Sequence, residues 1–137
     1  MTRVMLIDDE QIWLKEYKRA LEYEKYEIIS LKNPDEVYTY YQNKLNPKPD
    51  IIILDIMMNS KRYKNDDGFS QGMRTGILFY PKLKEFFPDV PILVLTNVAD
   101  PEKRNDIIQT TGNEKLFMKI DTTPTNLINI IKGELKG

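Results

Sequence analysis

Ile51-Ile52-Ile53-Leu54-Asp55 is an unbroken apolar run closed by a carboxylate. A strand with one face in water alternates apolar and polar residues, whereas a short continuous run suits a strand buried on both faces of a parallel sheet. Two runs of the same kind lie on either side of it in the chain, Val4 to Ile7 and Ile92 to Leu95, and Leu116 to Met118 is a less pure fourth. Tyr26 to Leu31 is more mixed and suits an edge strand.

The segments between these runs have helical spacing. Three begin with a capping residue followed by proline: Asn33-Pro34, Asp100-Pro101 and Thr123-Pro124. Proline is tolerated at the first helical position because its missing N–H would have no helical partner there. Asn33 and Glu36 also have the spacing of a capping box. Apolar positions three and four apart, such as Ile12, Leu14, Tyr17 and Leu21, or Leu127, Ile128, Ile130 and Ile131, give each helix a face for the sheet. Strand and helix alternate five times, which predicts an α/β domain with helices on both faces of a parallel sheet. The stretch from Met57 to about Gly72 breaks the rhythm. It is polar, carries Lys61, Arg62, Lys64, Asp66 and Asp67, and reads as an extended loop over 57–72.

With 137 residues, 41% of them hydrophobic, one domain over 1–137 is expected. Twenty Lys plus Arg against twenty-one Asp plus Glu leave a net charge of −1, which offers nucleic acid or an anionic membrane no broad attraction. There is no cysteine for a disulfide or thiolate site and no histidine for an imidazole base. Chemistry therefore falls to carboxylates, hydroxyls, lysine and backbone. No apolar run approaches the roughly 20 residues that span a bilayer, and the N-terminus leads straight into charge, so the cytoplasm is the expected location.

Ligands of such sheets gather outside the carboxyl ends of the strands. Asp8 and Asp9 follow the first run, Asp55 the third, Thr96 the fourth and Lys119 the fifth. Each acid alone reads as a solvated strand end or a helix cap; five polar residues converging on one edge point to a site. Three carboxylates repel one another unless a cation joins them. Mg2+ suits this set because it takes oxygen ligands and commonly binds one or two carboxylates together with a phosphate. Asp55 could then act as nucleophile toward a phosphoryl group, with Lys119 neutralising charge and the Thr96 hydroxyl bonding a phosphoryl oxygen.

The ordered set Val4-Met5-Leu6-Ile7-Asp8-Asp9-Glu10, Ile53-Leu54-Asp55-Ile56-Met57-Met58, Val94-Leu95-Thr96 and Met118-Lys119 closely resembles the receiver domain of two-component response regulators, over nearly the whole chain. The resemblance implies a flavodoxin-like fold with strand order 2-1-3-4-5. It further implies a phosphoacceptor switch fed by a sensor histidine kinase or a histidine phosphotransfer protein, catalysing only its own phosphorylation and dephosphorylation. Asp55 would be the phosphoacceptor. Asp8, Asp9, Asp55 and the backbone carbonyl of Met57 would bind Mg2+, or Mn2+ as a substitute, with Asp9 favoured over Asp8 as direct ligand. Thr96 and Lys119 would be the switch residues. Output would pass through protein contacts, from a surface over roughly Pro101 to Glu134. A homodimer is compatible with this, and direct nucleic-acid or membrane binding is not expected. Lys136 and Gly137 close the last helix, so the expectation is either that no output domain follows or that the chain is one domain of a longer protein.

The sequence departs from the family pattern at four points. Leu116 stands where receivers usually carry an aromatic, and Phe117, one residue on, should point to the opposite face as core. Ile120 replaces the proline that usually follows the lysine, and a trans bond is expected there. Asn97 takes the place of a very small residue after Thr96. The loop after Asp55 is longer by roughly a dozen residues and reads either as a gate or partner contact, or as a tolerated surface insertion. Met57 and Val98 flank the site without polar groups to orient water, which predicts slow loss of phosphate. An alternative is a receiver-like module that signals by binding alone. A phosphatase is disfavoured because Met57 stands where a second acid would be needed.

Overall fold

The computed structural model describes residues 1–58, 71–98 and 100–136, with residues 11 and 71–74 as backbone only. Five parallel strands, β1 (Arg3–Ile7), β2 (Glu27–Leu31), β3 (Ile51–Leu54), β4 (Ile92–Thr96) and β5 (Leu116–Met118), form one sheet in the order β2-β1-β3-β4-β5. They alternate with α1 (Gln11–Tyr23), α2 (Pro34–Gln42), α3 (Gln71–Phe86), α4 (Pro101–Thr111) and α5 (Pro124–Lys136). The expected fold class and strand order are both observed. Of the loop expected over 57–72, residues 59–70, including Lys61, Arg62, Lys64, Asp66 and Asp67, lie outside the described residues.

β1 from Val4 to Ile7, all of β3, and β4 from Ile92 to Leu95 are unbroken apolar runs because both of their faces are covered. Val4, Leu6, Ile51, Ile53, Leu93 and Leu95 pack on one side with Leu14, Tyr17 and Leu21 of α1 and Leu127, Ile128 and Ile131 of α5. Met5, Ile7, Ile52, Leu54, Ile92 and Val94 pack on the other with Val37 of α2, Phe79 and Leu83 of α3 and Ile107 of α4. Each such side chain contributes roughly 1.5–3 kcal/mol when fully buried, so β3, buried at all four positions, is among the most firmly held elements. β2 and β5 are edge strands and only half-buried for most of their length. Leu116 and Phe117 pack on opposite layers, as strand alternation requires.

The three proline-marked helix starts form as expected. Asn33 Oδ1 accepts the Glu36 N–H at 3.0 Å, Asp100 Oδ1 that of Glu102 at 3.0 Å, and Thr123 Oγ1 that of Asn126 at 3.1 Å. Glu36 reaches back to the N–H of Lys32 at 2.8 Å, one residue earlier than a capping box prescribes. One expectation fails: Ile12 is 86% exposed, while Leu14, Tyr17 and Leu21 face the sheet. Two residues are about 200° of helix rotation, so Ile12 lies nearly opposite Leu14.

α1 ends with Lys25 in the left-handed conformation, φ 63°. The N–H groups of Tyr26 and Lys25 return to the carbonyls of Leu21 and Glu22, a Schellman arrangement usually built on glycine. In α3, Gly76 lies flat against the chain after β3. A Cβ added there would overlap the Ile56 carbonyl oxygen and come within 2.6 Å of its Cα.

Candidate functional site

Parallel strands deliver their carboxyl ends to one edge, and the ladder continues just past them: the Asp8 N–H bonds the Leu31 carbonyl at 3.0 Å and the Asp55 N–H that of Ile7 at 2.9 Å. This fixes both acids side by side. Thr96 is the last residue of β4, and Lys119 opens a 3₁₀ turn (Lys119–Asp121) directly after β5. Asp8, Asp55, Thr96 and Lys119 are all buried, with Asp55 only 1% exposed. Asp9 is the accessible acid of the group, and one carboxylate oxygen from each of Asp8, Asp9 and Asp55 lies within 4.8 Å of the others. The structure thus brings together five of the residues singled out in the sequence.

The Asp55 carboxylate is held from three directions. Oδ1 accepts the Thr96 hydroxyl at 2.9 Å and the Met57 N–H at 3.0 Å, and Oδ2 takes the Lys119 ammonium at 3.1 Å. Lys119 Nζ also lies 2.8 Å from Asp8 Oδ2 and 3.5 Å from Glu10 Oε1. Burial pushes the Asp55 carboxyl up to about 7, and the Asp8 charge adds to this; Lys119 and the Met57 N–H oppose them without cancelling. Burial would pull the Lys119 ammonium down, but Asp55 and Asp8 outweigh it, so its affinity for the proton rises. Three carboxylates, those of Asp8, Glu10 and Asp55, therefore share one ammonium, and Asp9 adds a fourth acid to the cluster. The set is all oxygen, partly open at Asp9, and short of positive charge, which fits a hard divalent cation.

Glu10 was not singled out by sequence reasoning. Its N–H donates to Asp8 Oδ1 at 2.8 Å, tightening the turn between β1 and α1. Its place immediately after Asp8-Asp9 was the available signal. Tyr17, read from the sequence only as part of the sheet-facing stripe of α1, bonds backbone carbonyls after β5 through its hydroxyl, and Gly76, which left no trace in the pattern, lies against Ile56. Asn97 is exposed and Val98 buried. Ile120 is 75% exposed after a trans bond. Ile12 and Trp13, in the first turn of α1 close after Asp9, are exposed as well, Trp13 at 38%. Among the described residues, no helix is long and apolar enough to cross a membrane.

Residues 4–132 match the family model described as the response regulator receiver domain. No curated protein matches the chain. Its fold is similar to a CheY-like receiver domain protein from Methanospirillum hungatei, with a TM-score of 0.75 and 20% identity over 99% of this chain and 94% of that one. It is likewise similar to a response regulator from Thermotoga maritima, with a TM-score of 0.73 and 21% identity over 100% and 99% of the two chains. A two-component response regulator from Clostridium difficile gives 0.75 and 19% over 99% and 97%.

Proposed function

Since the chain belongs to the response regulator receiver domain family, we propose that it is a phosphoacceptor switch that takes a phosphoryl group on Asp55. The observation carrying this reading is the buried Asp55 carboxylate, bonded at once by Thr96 Oγ1 and Lys119 Nζ beside Asp8. Receiver domains are signalling modules that interact with histidine kinases or phosphotransfer proteins. Here the donor would be such a protein in the cytoplasm, contacting the exposed Ile12, Trp13 and Ile120 close in sequence to Asp9 and Lys119.

In the transfer, an Asp55 carboxylate oxygen forms a bond to phosphorus as the phosphorus–nitrogen bond of the donor's phosphohistidine breaks, and the departing imidazole keeps the electron pair and takes up a proton. Lys119 is already at hydrogen-bond distance from the attacking carboxylate and can follow the phosphoryl oxygens with its charge. The Thr96 hydroxyl, bonded to Oδ1 at rest, can turn to a phosphoryl oxygen. Asp8, Asp9, Asp55 and the Met57 carbonyl would hold Mg2+, or Mn2+ in its place, and the ion would neutralise charge on the transferring group. Residues 1–137 form one receiver domain in this reading, with its extended connection running from the end of β3 to the start of α3 at Gln71.

The test is incubation with acetyl phosphate and Mg2+ followed by intact mass, for wild type and Asp55→Asn. One phosphoryl group gained by wild type only, and only with Mg2+, is expected. No gain, despite demonstrated Mg2+ binding, would replace this reading with a module that signals by binding alone, to which Leu116 and Ile120 lend some support.

A further inference from the structure

Lys119 must place its ammonium among Asp8, Asp55 and the incoming phosphoryl group, yet it stands on a short 3₁₀ turn at the end of an edge strand of three residues. The turn's own internal bond is long, 3.3 Å from the Thr122 N–H to the Lys119 carbonyl. Its neighbour Ile120 is exposed and gives the turn no apolar anchor.

What reaches the turn is a side chain from α1. Tyr17 is buried to 3% exposure, its ring packed in the layer formed by α1, α5 and the sheet. Its hydroxyl donates to the Thr122 carbonyl at 2.6 Å and lies 3.3 Å from the Lys119 carbonyl. The two carbonyls are the first and last points of the turn, so a single phenol ties both ends to a helix more than a hundred residues away in sequence. Thr122 is itself buried, and water is poorly placed to take over these bonds. We propose that Tyr17 is the positioning residue for Lys119: by tying both ends of the 119–122 turn to α1, it sets where the ammonium stands relative to Asp55.

This rests on the phosphoacceptor reading for its rate measurement, but not for its spectroscopic one. Tyr17→Phe keeps the ring and removes only the hydroxyl. Leu21→Val, in the same helix and layer but away from the turn, serves as a control for loss of packing. Three measurements are made: Mg2+-dependent phosphorylation by acetyl phosphate, Mg2+ affinity from the fluorescence of the single tryptophan, Trp13, and the 15N resonance of the Lys119 ammonium, assigned by its absence from Lys119→Ala. Tyr17→Phe should shift and broaden the Lys119 signal and slow phosphorylation by roughly tenfold to a hundredfold, the scale of a reacting group displaced by about 1 Å. Mg2+ affinity should stay close to wild type, and in a Lys119→Ala background the same substitution should slow phosphorylation no further. Leu21→Val should change neither rate nor resonance. A Lys119 signal in Tyr17→Phe indistinguishable from the control, or rate defects that multiply in the double variant, would overturn the proposal. If the wild type accepts no phosphoryl group, the functional reading fails by itself, and the lysine resonance still decides the role of Tyr17.

Discussion

Asp55→Asn should make the metal-free protein more stable at neutral and alkaline pH. The Asp55 carboxyl is raised from 3.8 to about 7, first by burial and then by the Asp8 charge. For an acid whose folded pKa lies above its unfolded one, stability is fully present below the unfolded value and is lost as pH rises toward the folded value. The window here runs from about pH 4 to about pH 7, opposite in sense to a salt-bridged aspartate. A shift of about 3 units at 1.36 kcal/mol per unit corresponds to an upper bound of about 4 kcal/mol above that window. The amide of Asn has nearly the shape of the protonated acid and can still accept one bond, while Lys119 keeps Asp8 at 2.8 Å, so on the order of 2–4 kcal/mol should be recovered. At pH 5 the carboxyl is mostly protonated in the fold, and the gain should shrink to roughly 1–2 kcal/mol. Urea denaturation in chelator, followed by circular dichroism for both proteins at the two pH values, measures this directly. Adding Mg2+ at pH 8 should stabilise wild type and scarcely affect the variant, closing the gap. A variant no more stable than wild type at pH 8 without metal would refute the reasoning, since it would mean that Lys119, Thr96 and the Met57 N–H offset the desolvation of the carboxylate in full.

Lys25→Gly should raise the urea midpoint by an amount equivalent to about 1 kcal/mol, because a lysine at φ 63° carries a left-handed strain that glycine lacks; an unchanged midpoint would count against strain at that cap. Gly76→Ala should do the reverse and cost roughly 1–3 kcal/mol, since the new methyl group runs into Ile56. The same denaturation assay reads this, and weaker Mg2+ binding should accompany it because Ile56 lies between Asp55 and Met57. Once formed, the Asp55 acyl phosphate should persist for minutes or longer: Met57 and the buried Val98 present no polar side chain to orient water. Intact mass followed over time measures the lifetime, and decay within seconds would exclude the idea.

What could be read from the sequence divides along the same physical lines. β1, β3 and β4 were legible because burial on both faces leaves an uninterrupted apolar run. β2 and β5 lie at the edges, and their signals were correspondingly mixed. The caps at Asn33, Asp100 and Thr123 could be found because a cap and its target are only two or three residues apart. Ile12 was misplaced by counting apolar residues without following the helical rotation between Ile12 and Leu14. The site could be located because a parallel sheet converts the order of strand ends into a single edge. Contacts across long separations were hidden: the glycine at 76 under Ile56, Glu10 beside Lys119, and the Tyr17 phenol bonded to Thr122.

Charge balance at the site was the part that needed distances. Three clustered acids imply an external cation only if none is built in, and Lys119 Nζ stands 2.8 and 3.1 Å from Asp8 and Asp55. The lysine reduces the repulsion without removing it, since the Asp55 carboxyl remains raised even beside it. That residue of unfavourable charge is what a divalent ion would relieve. In the same step it would shift Asp55 toward the ionised form that can attack phosphorus. A group held near neutrality by burial and released by a cation is therefore both a cost to the metal-free fold and the means by which phosphorylation would depend on the metal.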